Sequence, residues 1–449
     1  MGPDHRALTQ IAQSPTFCGC FTTALTAFRA RSRHRDAGSV MSVVDTRQNV
    51  QGWIAGARAA VARERGTYGD LARGEQAISE VVDVLAVPQA AWAGLAARAI
   101  ESNAFYHPAW ARAVARHVKG QIGMRALLAW DSPAKRRLIG VMLVAPAWNC
   151  LRLPIPVFVG WYAYAPLTTP LLDRDQPDVA ARTLVAAARK AGSHAVLLPA
   201  MAQDGPVAAA LRRAVEPFVV APRVFNAHER ARLDATQSDD DAVAALGAKK
   251  LKELRRQRNR LADLGDVAFR IAAPGAEAEA ALEQFLVLEA AGWKGAAGTA
   301  LAAKEGDIAF MKEALPAMVR DGAAQIVTLV AGDKVVAAGV LLRNARRAYF
   351  FKIAYDETFA KMSPGVQLTL DITRAMCVDE AVDSVDSTAV ANHPMIDHIW
   401  RDRQPIADLL LPVGGNAFAF KVLAGAIDAR RVLRAAARSL YHRLRKLKG

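Results

Sequence analysis

Apolar and polar positions along this chain follow two rhythms, and the rhythms recur in the same order twice. In the first half, RALLAWDSPAKRRLIGVMLVAPA reads as a strand, a polar turn at Asp131-Ser132-Pro133 and a second strand. In the second half, QIVTLVAGDKVVAAGVLLRNA repeats that reading with Gly332-Asp333 as the turn. Gly140 and Gly339 hold matching places, opening VMLV and VLLR. An aromatic strand follows in each half, FVGWYAYAPL at 158–167 and AYFFKIAYDE at 348–357. A loop containing proline and an amphipathic helix come next, DVAARTLVAAARKAG and GVQLTLDITRAMCVDE, each running into a strand, HAVLLPA and AVDSVDST. Each half also begins with a helical segment ending in aromatic residues, AWAGLAARAIESNAFYHPAW and AALEQFLVLEAAGWKG. Five elements in the same order predict a duplicated α/β (α+β) unit.

Between the halves, DDDAVAALGAKKLKELRRQRNRLADLGDV predicts a linker helix. Asp239, Asp240 and Asp241 complement its positive end, Leu246, Leu251, Leu254, Leu261 and Leu264 give an apolar stripe, and Gly265 ends it. The expected organisation is a poorly ordered extension over 1–40, an N-terminal domain over 41–235, the basic linker over 236–266, a C-terminal domain over 267–425 and a basic amphipathic tail over 426–449. Met41, opening MSVVDTRQNV, is an alternative start.

Composition narrows the function. With 52% hydrophobic and 22% charged residues in 449, the chain folds around a sizeable core. The longest apolar run, LIGVMLVAPAW, is about half of the ~20 residues that a membrane span needs. The net charge of +15 is local: residues 430–448 hold eight basic and no acidic residues, and 249–260 hold seven basic residues against Glu253. The rest of the chain is near neutral, which argues against a general nucleic-acid binder. Cys18, Cys20, Cys150 and Cys377 form no CxxC pair and no metal-like spacing, so free thiols in a reducing cytoplasm, and no metal, are expected. PTFCGCFTTALTAF precedes RARSRHR, placing positive charge after the apolar stretch, opposite to a secretory signal.

The helix after the second aromatic strand opens with Ser363, Pro364, Gly365, Val366 and Gln367 and has no acid in its first turn. Such a start presents bare N–H groups and about half a positive charge to an anion such as phosphate. Pro364 stiffens the turn and Gly365 admits close approach of a ligand. Ser363 caps the helix or bonds the ligand. A plain helix cap with no ligand is the ordinary alternative.

This order of elements resembles the GNAT acyltransferase fold, in which the diphosphate of coenzyme A rests on a loop at a helix N-terminus. Its duplication resembles the Fem-type peptidoglycan aminoacyltransferases. FLVLEAAGWKGAAGTAL, FKIAYDETFAKMSPGVQL and VDSVDSTAVANHPMIDHIW, with YAPLTTPLLD in the first half, resemble the CelD-like acetyltransferases associated with cellulose and exopolysaccharide synthesis. The resemblance implies two tandem GNAT-like domains, each a mixed, mostly antiparallel sheet flanked by helices. It implies acetyl-CoA or another acyl-CoA as donor, and as acceptor an amine or hydroxyl of a small molecule, sugar or envelope precursor. Lys361 and Gly365 fit the family's phosphate loop, but Gln367 stands where a second glycine is usual.

Direct acyl transfer needs a bound thioester, a path for the amine proton and a proton for the thiolate, with no nucleophilic side chain. No GxSxG elbow or Cys/His pairing is present. Asp386, at a polar strand end, is the candidate base, Tyr355 a proton donor and His393 a second base. Lys352, odd in the apolar FFKIAY, reaches a phosphate or a carboxylate, or sits at an edge. Trp293, Lys294 and Thr299, with Asp356, form a wall for the acceptor. Each has a structural alternative: a solvated aspartate, a packed tyrosine, a loop histidine, a core tryptophan beside a surface lysine.

Two other classes remain. One is a tRNA-dependent aminoacyltransferase, for which the linker lacks aromatic interleaving. The other is a non-catalytic partner of a membrane polysaccharide-synthesis complex. In the tail, Val432, Leu433, Leu440 and Leu444 lie among arginines, a pattern suited to an anionic membrane surface. A cytoplasmic protein, peripheral at the inner membrane face through this tail, is expected.

Overall fold

Both hairpins form where the turn chemistry places them, and around them the chain builds one sheet instead of two. The computed structural model describes residues 77–118, 123–161, 163–218 and 220–447, with side chains as far as 439. The expected extension over 1–40, Met41, Cys18 and Cys20 lie outside the described residues.

The first half runs β1 (Ile78–Asp83), α1 (Gln89–Arg98), α2 (Pro108–His117), β2 (Arg125–Trp130), β3 (Leu138–Pro146), α3 (Ala147–Leu151), β4 (Val157–Gly160) and β5 (Leu171–Leu172). It continues through α4 (Pro177–Lys190), β6 (Ala195–Ala202), α5 (Pro206–Val215) and β7 (Arg223–Asp234). Two helices, α6 (Asp239–Ala244) and α7 (Ala248–Ala262), lead to the second half. There β8 (Val267–Ile271), α8 (Ala276–Ala291), α9 (Trp293–Ala296), α10 (Glu305–Arg320), β9 (Ala324–Ala331), β10 (Lys334–Asn344) and β11 (Arg347–Tyr355) follow. The chain ends through α11 (Pro364–Val378), β12 (Ser384–Asp386), α12 (Ile396–Ile399), β13 (Asp402–Pro412) and α13 (Ala417–Leu447).

Two expectations change. The linker is two helices, because Gly247 adopts φ 81° between them, a conformation that costs glycine little. The first aromatic strand stops at Gly160, and Tyr164 beyond it adopts a left-handed backbone in a loop.

The strand order is β1-β2-β3-β4-β6-β13-β7-β12-β11-β10-β9-β8, with β5 appended to β3. Matching β1 to β8, β2 to β9, β3 to β10, β4 to β11, β6 to β12 and β7 to β13 makes this order a palindrome. The duplication is therefore real in space, about an axis between β13 and β7. Each half's last strand crosses that axis: β13 pairs antiparallel with β6, and β7 with β12. The halves complete each other's sheets. Among the described residues only β4/β6 and β11/β12 pair in parallel, at equivalent places, so the sheet is mixed and mostly antiparallel.

Alternation along the strands divides the core. Ile326, Val340 and Tyr349 face a layer made by α1, α2, α8 and α10 from both halves, filled by Trp92, Phe105, Trp110, Phe285 and Phe310. Val327, Leu341 and Phe350 face the opposite layer, where α6, α7 and α11 cover the second half. Leu127 and Met142 face the equivalent layer of the first half, with α4 and α5. Within α13, Phe420, Leu423, Ala424 and Ile427 pack beside Ala147 and Leu151, while Val432 and Leu433 are exposed. No helix of the described residues is long and apolar enough to cross a membrane.

Candidate functional site

Two features of β11 create an opening in the sheet. It pairs with β12 only from Arg347 to Tyr349, because β12 ends at Asp386. From Phe350 to Tyr355 the strand runs on with no strand partner on that side among the described residues; the Phe350 carbonyl accepts the Thr388 hydroxyl at 2.7 Å, and the edge beyond it is open. A bulge also interrupts its pairing with β10: Phe350 faces Leu341 and Lys352 faces Val340, so Phe351 is the extra residue. Phe351 and Lys352 therefore both point to the α8 side, while Ile353 and Tyr355 turn back toward α11.

The start of α11 lies against the far end of this edge. A Cβ on Gly365 would sit 3.1 Å from Cδ1 of the Tyr355 ring. Gly365 thus makes room for the Tyr355 side chain. Pro364 is buried and has no N–H, and the Gln367 N–H donates to the Ser363 carbonyl. The helix start therefore offers the amides of Gly365 and Val366, which have no intrahelical acceptor at these positions. Ser363 is left-handed, at φ 52°, and its hydroxyl makes no capping bond. The Gln367 side chain is not at the helix mouth as expected. It is buried and donates to the Leu254 carbonyl at 2.8 Å, tying α11 to α7. Arg258 adds an ion pair with Asp371 at 2.8 Å. The basic helix is therefore fastened along the first turns of α11.

Several expected site residues are occupied elsewhere. Asp356 accepts the N–H and hydroxyl of Thr358 and caps the short turn Glu357–Met362. Thr299 donates to the Lys294 carbonyl from an exposed position. His393 accepts the N–H groups of Met395 and Ile396 at Nδ1, capping its own loop, and burial lowers its pKa. Tyr355 does meet the helix start; burial, then Glu357, raise its pKa. Trp293 is exposed, and its main-chain N–H donates to the Glu357 carboxylate at 2.6 Å, pinning α9 to the segment after β11.

Asp386 has the most demanding surroundings. It is fully buried, and Oδ2 accepts from Arg230 of β7 at 2.5 Å and lies 3.5 Å from Arg347 of β11. Its Oδ1 accepts the Thr388 N–H at 2.8 Å. Both oxygens are engaged where the halves interlock, so its position gives it a cross-strand structural role in place of the open strand end expected for a base.

Lys352 does not approach α11. It donates to Glu289 of α8 at 3.1 Å, and Lys294 donates to the same oxygen at 3.1 Å. Glu289 is buried, and its other oxygen accepts the Leu301 N–H at 2.9 Å. Burial pushes the Glu289 carboxyl up, but the ammoniums of Lys352 and Lys294 outweigh it and hold the group below the usual range. Burial, then the neighbouring charge of Lys352, push Lys294 down to about 8 despite Glu289. Sequence reading missed Glu289, although the signal was there. With Leu282, Phe285 and Leu286 it shares the buried face of α8, where an unpaired acid is costly.

The first half lacks this opening among the described residues. β4 is four residues long, and the first turn of α4 carries Asp178, which repels an anion. Burial raises the thiol of Cys377 in α11 to about 11, the opposite of what an activated nucleophile needs. No cluster of three or more metal-ligating side chains occurs among the described residues.

An open strand edge thus lies beside a bare helix start, in a sheet with one splayed parallel pair. Residues 248–393 match the family described as Acetyltransferase (GNAT) domain. The match includes α7, the β11 bulge and the start of α11, so the chain carries a GNAT-type acetyltransferase domain. Among solved structures, FemX is 10% identical, with 75% of this chain and 96% of that one covered at a TM-score of 0.50, a likeness that shows a shared fold. The C-terminal domain of a putative lysylphosphatidylglycerol synthetase from Agrobacterium fabrum is 13% identical, covering 75% of this chain and 95% of that one at a TM-score of 0.46. A tandem GNAT protein from the clavulanic acid biosynthesis pathway is 11% identical, covering 76% and 99% at 0.37. No curated protein matches the sequence.

Proposed function

We propose that this protein moves an acetyl group from acetyl-CoA directly to an amine of a small molecule, sugar or envelope polysaccharide precursor. The observation that carries this reading is the open edge of β11 ending at the unpaired amides of Gly365 and Val366. The donor diphosphate accepts from those two amides and from the Ser363 hydroxyl. The arm of the carrier, which contains amides, lies along the edge of β11 that no strand covers, from Tyr355 toward Phe351, about 13 Å at strand spacing. The thioester then lies near the bulge, and Tyr355 stands at the diphosphate end, where it supports the helix start. Nitrogen attacks the thioester carbonyl, the carbon–sulfur bond breaks, the thiolate takes a proton and the amine gives one up. The resemblance to CelD-like proteins supports a polysaccharide precursor as acceptor.

Calorimetric titration of the intact protein with acetyl-CoA tests the donor. Saturable one-to-one binding is expected. If acetyl-CoA fails to bind while charged tRNA binds with a steep salt dependence, the chain is an aminoacyltransferase and this reading is wrong.

The C-terminal helix supports a location at an anionic membrane. Phe418, Val422, Val432 and Leu433 share one exposed face of α13, opposite the buried one, in a helix rich in arginine. The protein is expected to sediment with phosphatidylglycerol vesicles and not with phosphatidylcholine vesicles. Replacing both Val432 and Leu433 by aspartate should abolish this with no change in folding, since both are exposed. Unchanged sedimentation of that variant would remove the helix from the interaction.

A further inference from the structure

The cluster around Glu289 holds more positive charge than it can neutralise. Two ammoniums share one carboxylate oxygen, leaving one positive charge in excess in a recess where Glu289 is buried and each lysine side chain is 21% exposed. The next acid, Asp307, already accepts the Tyr164 hydroxyl at 2.5 Å and lies 4.0 Å from Lys304. Donors are also in surplus. Each ammonium carries three N–H groups; Lys294 uses two, to Glu289 and to the Ile353 carbonyl at 3.1 Å, and Lys352 uses one. Isolated buried charge is expensive, and the usual remedy is a partner.

The recess also has a direction. The Ile353 carbonyl that holds Lys294 belongs to the open edge of β11, one residue beyond Lys352. On the other side stand Phe351, Trp110 and Phe310, with Tyr164 from the first half stacked against Phe310 at 5.1 Å. The surplus donors thus sit at the seam between the halves, beside the acyl end of the edge and away from the diphosphate end.

We propose that Lys294 and Lys352, yoked by Glu289, form an anion subsite for the acceptor, which is an amine that also bears a carboxylate or phosphate. The anion is held by the surplus N–H groups, and the amine is turned toward the thioester at the open edge. This assignment rests on the donor reading for its direction of transfer, but the subsite itself does not need the donor. It explains why a bulge spends an irregular residue on aiming Lys352 at α8. The lowered pKa of Lys294 agrees with it, since an anion supplies the counter-charge that Glu289 must otherwise divide. The charged groups beside Lys294 are Glu289 of α8 and Lys352 of β11, and its ammonium lies 5.8 Å from the centre of the Trp293 ring. Burial and Lys352 hold Lys294 at about 8, so anion binding weakens as pH rises through 8.

The test uses the intact chain and first omits acetyl-CoA. An amine-directed acylating reagent is applied at pH 8 in chloride, acetate or inorganic phosphate at equal ionic strength, and labelling is read lysine by lysine by mass spectrometry. Acetate or phosphate is expected to protect Lys294 and Lys352 by about threefold or more, with exposed Lys249 and Lys361 unaffected. Protection by phosphate alone identifies a phosphate-bearing acceptor, and by acetate alone a carboxylate. No protection, or equal protection of the exposed lysines, overturns the subsite. Turnover is then compared for glucosamine 6-phosphate against glucosamine, and for glycine against glycinamide. Lys294→Met and Lys352→Met each leave a neutral pair with Glu289, so both are expected to fold. Each should raise KM for the anionic acceptor about tenfold or more, as loss of a charge-assisted bond implies, and change KM for the uncharged counterpart far less. Equal KM effects on both members also overturn it. If anions protect but acetyl-CoA does not bind, the donor reading fails and the subsite stands.

Discussion

Replacing Asp386 by asparagine is expected to cost the fold about 3–5 kcal/mol, the usual loss when one member of a buried ion pair is removed. The reason lies in the exchange of strands. Arg230 sits on β7, Arg347 on β11 and Asp386 on β12, adjacent strands where the two halves interlock. The Arg230 side chain is 3% exposed and cannot reach water when its carboxylate is lost. Its Nε and that of Arg347 are buried without a partner, so the region has no spare acceptor. The urea midpoint of Asp386→Asn should fall sharply at a similar slope. Arg230→Met should lose less, because Arg347 remains to compensate Asp386. A variant Asp386→Asn with the parent's midpoint and no turnover would show instead that the carboxylate acts in chemistry.

The second large effect is on the donor. Ser363→Asp should weaken acetyl-CoA binding by about ten- to a hundredfold, the range for like charges a few ångströms apart at a protein surface. Stability should move the other way or stay level. A carboxylate at a helix N-terminus stabilises it by about 0.3–1 kcal/mol, and aspartate tolerates the left-handed backbone of Ser363 better than most residues. Opposite signs in titration and in thermal unfolding separate lost binding from lost structure. Gly365→Val cannot make that separation, because the added side chain meets the Tyr355 ring before it meets any ligand. Unchanged affinity in Ser363→Asp would move the diphosphate away from this helix.

Much of the fold was legible because it is local. Polar turns at Asp131-Ser132-Pro133 and Gly332-Asp333 pin two hairpins. Helical spacing of leucines marks α7, and a proline start without acids marks α11. The chemistry was less legible. Lys352 was read as reaching a phosphate or a carboxylate, and one extra residue in β11 turns it to the carboxylate of Glu289. His393 and Asp356 have the right chemistry, but their own loops consume their hydrogen bonds.

The order of elements, their duplication and the bare helix start belong to the sequence alone, since turn residues, caps and apolar periodicity act over a few positions. The crossing of β7 and β13 does not. RVFNAHERARLD is too charged to announce a central strand, and it becomes one because Asp386, more than 150 positions away, compensates Arg230. The bulge that aims Lys352, and the early end of β12 that opens the edge of β11, likewise depend on which strands lie side by side. Pairing across the sheet is a long-range choice, made by burial and compensation of charge, and only the folded chain carries it out.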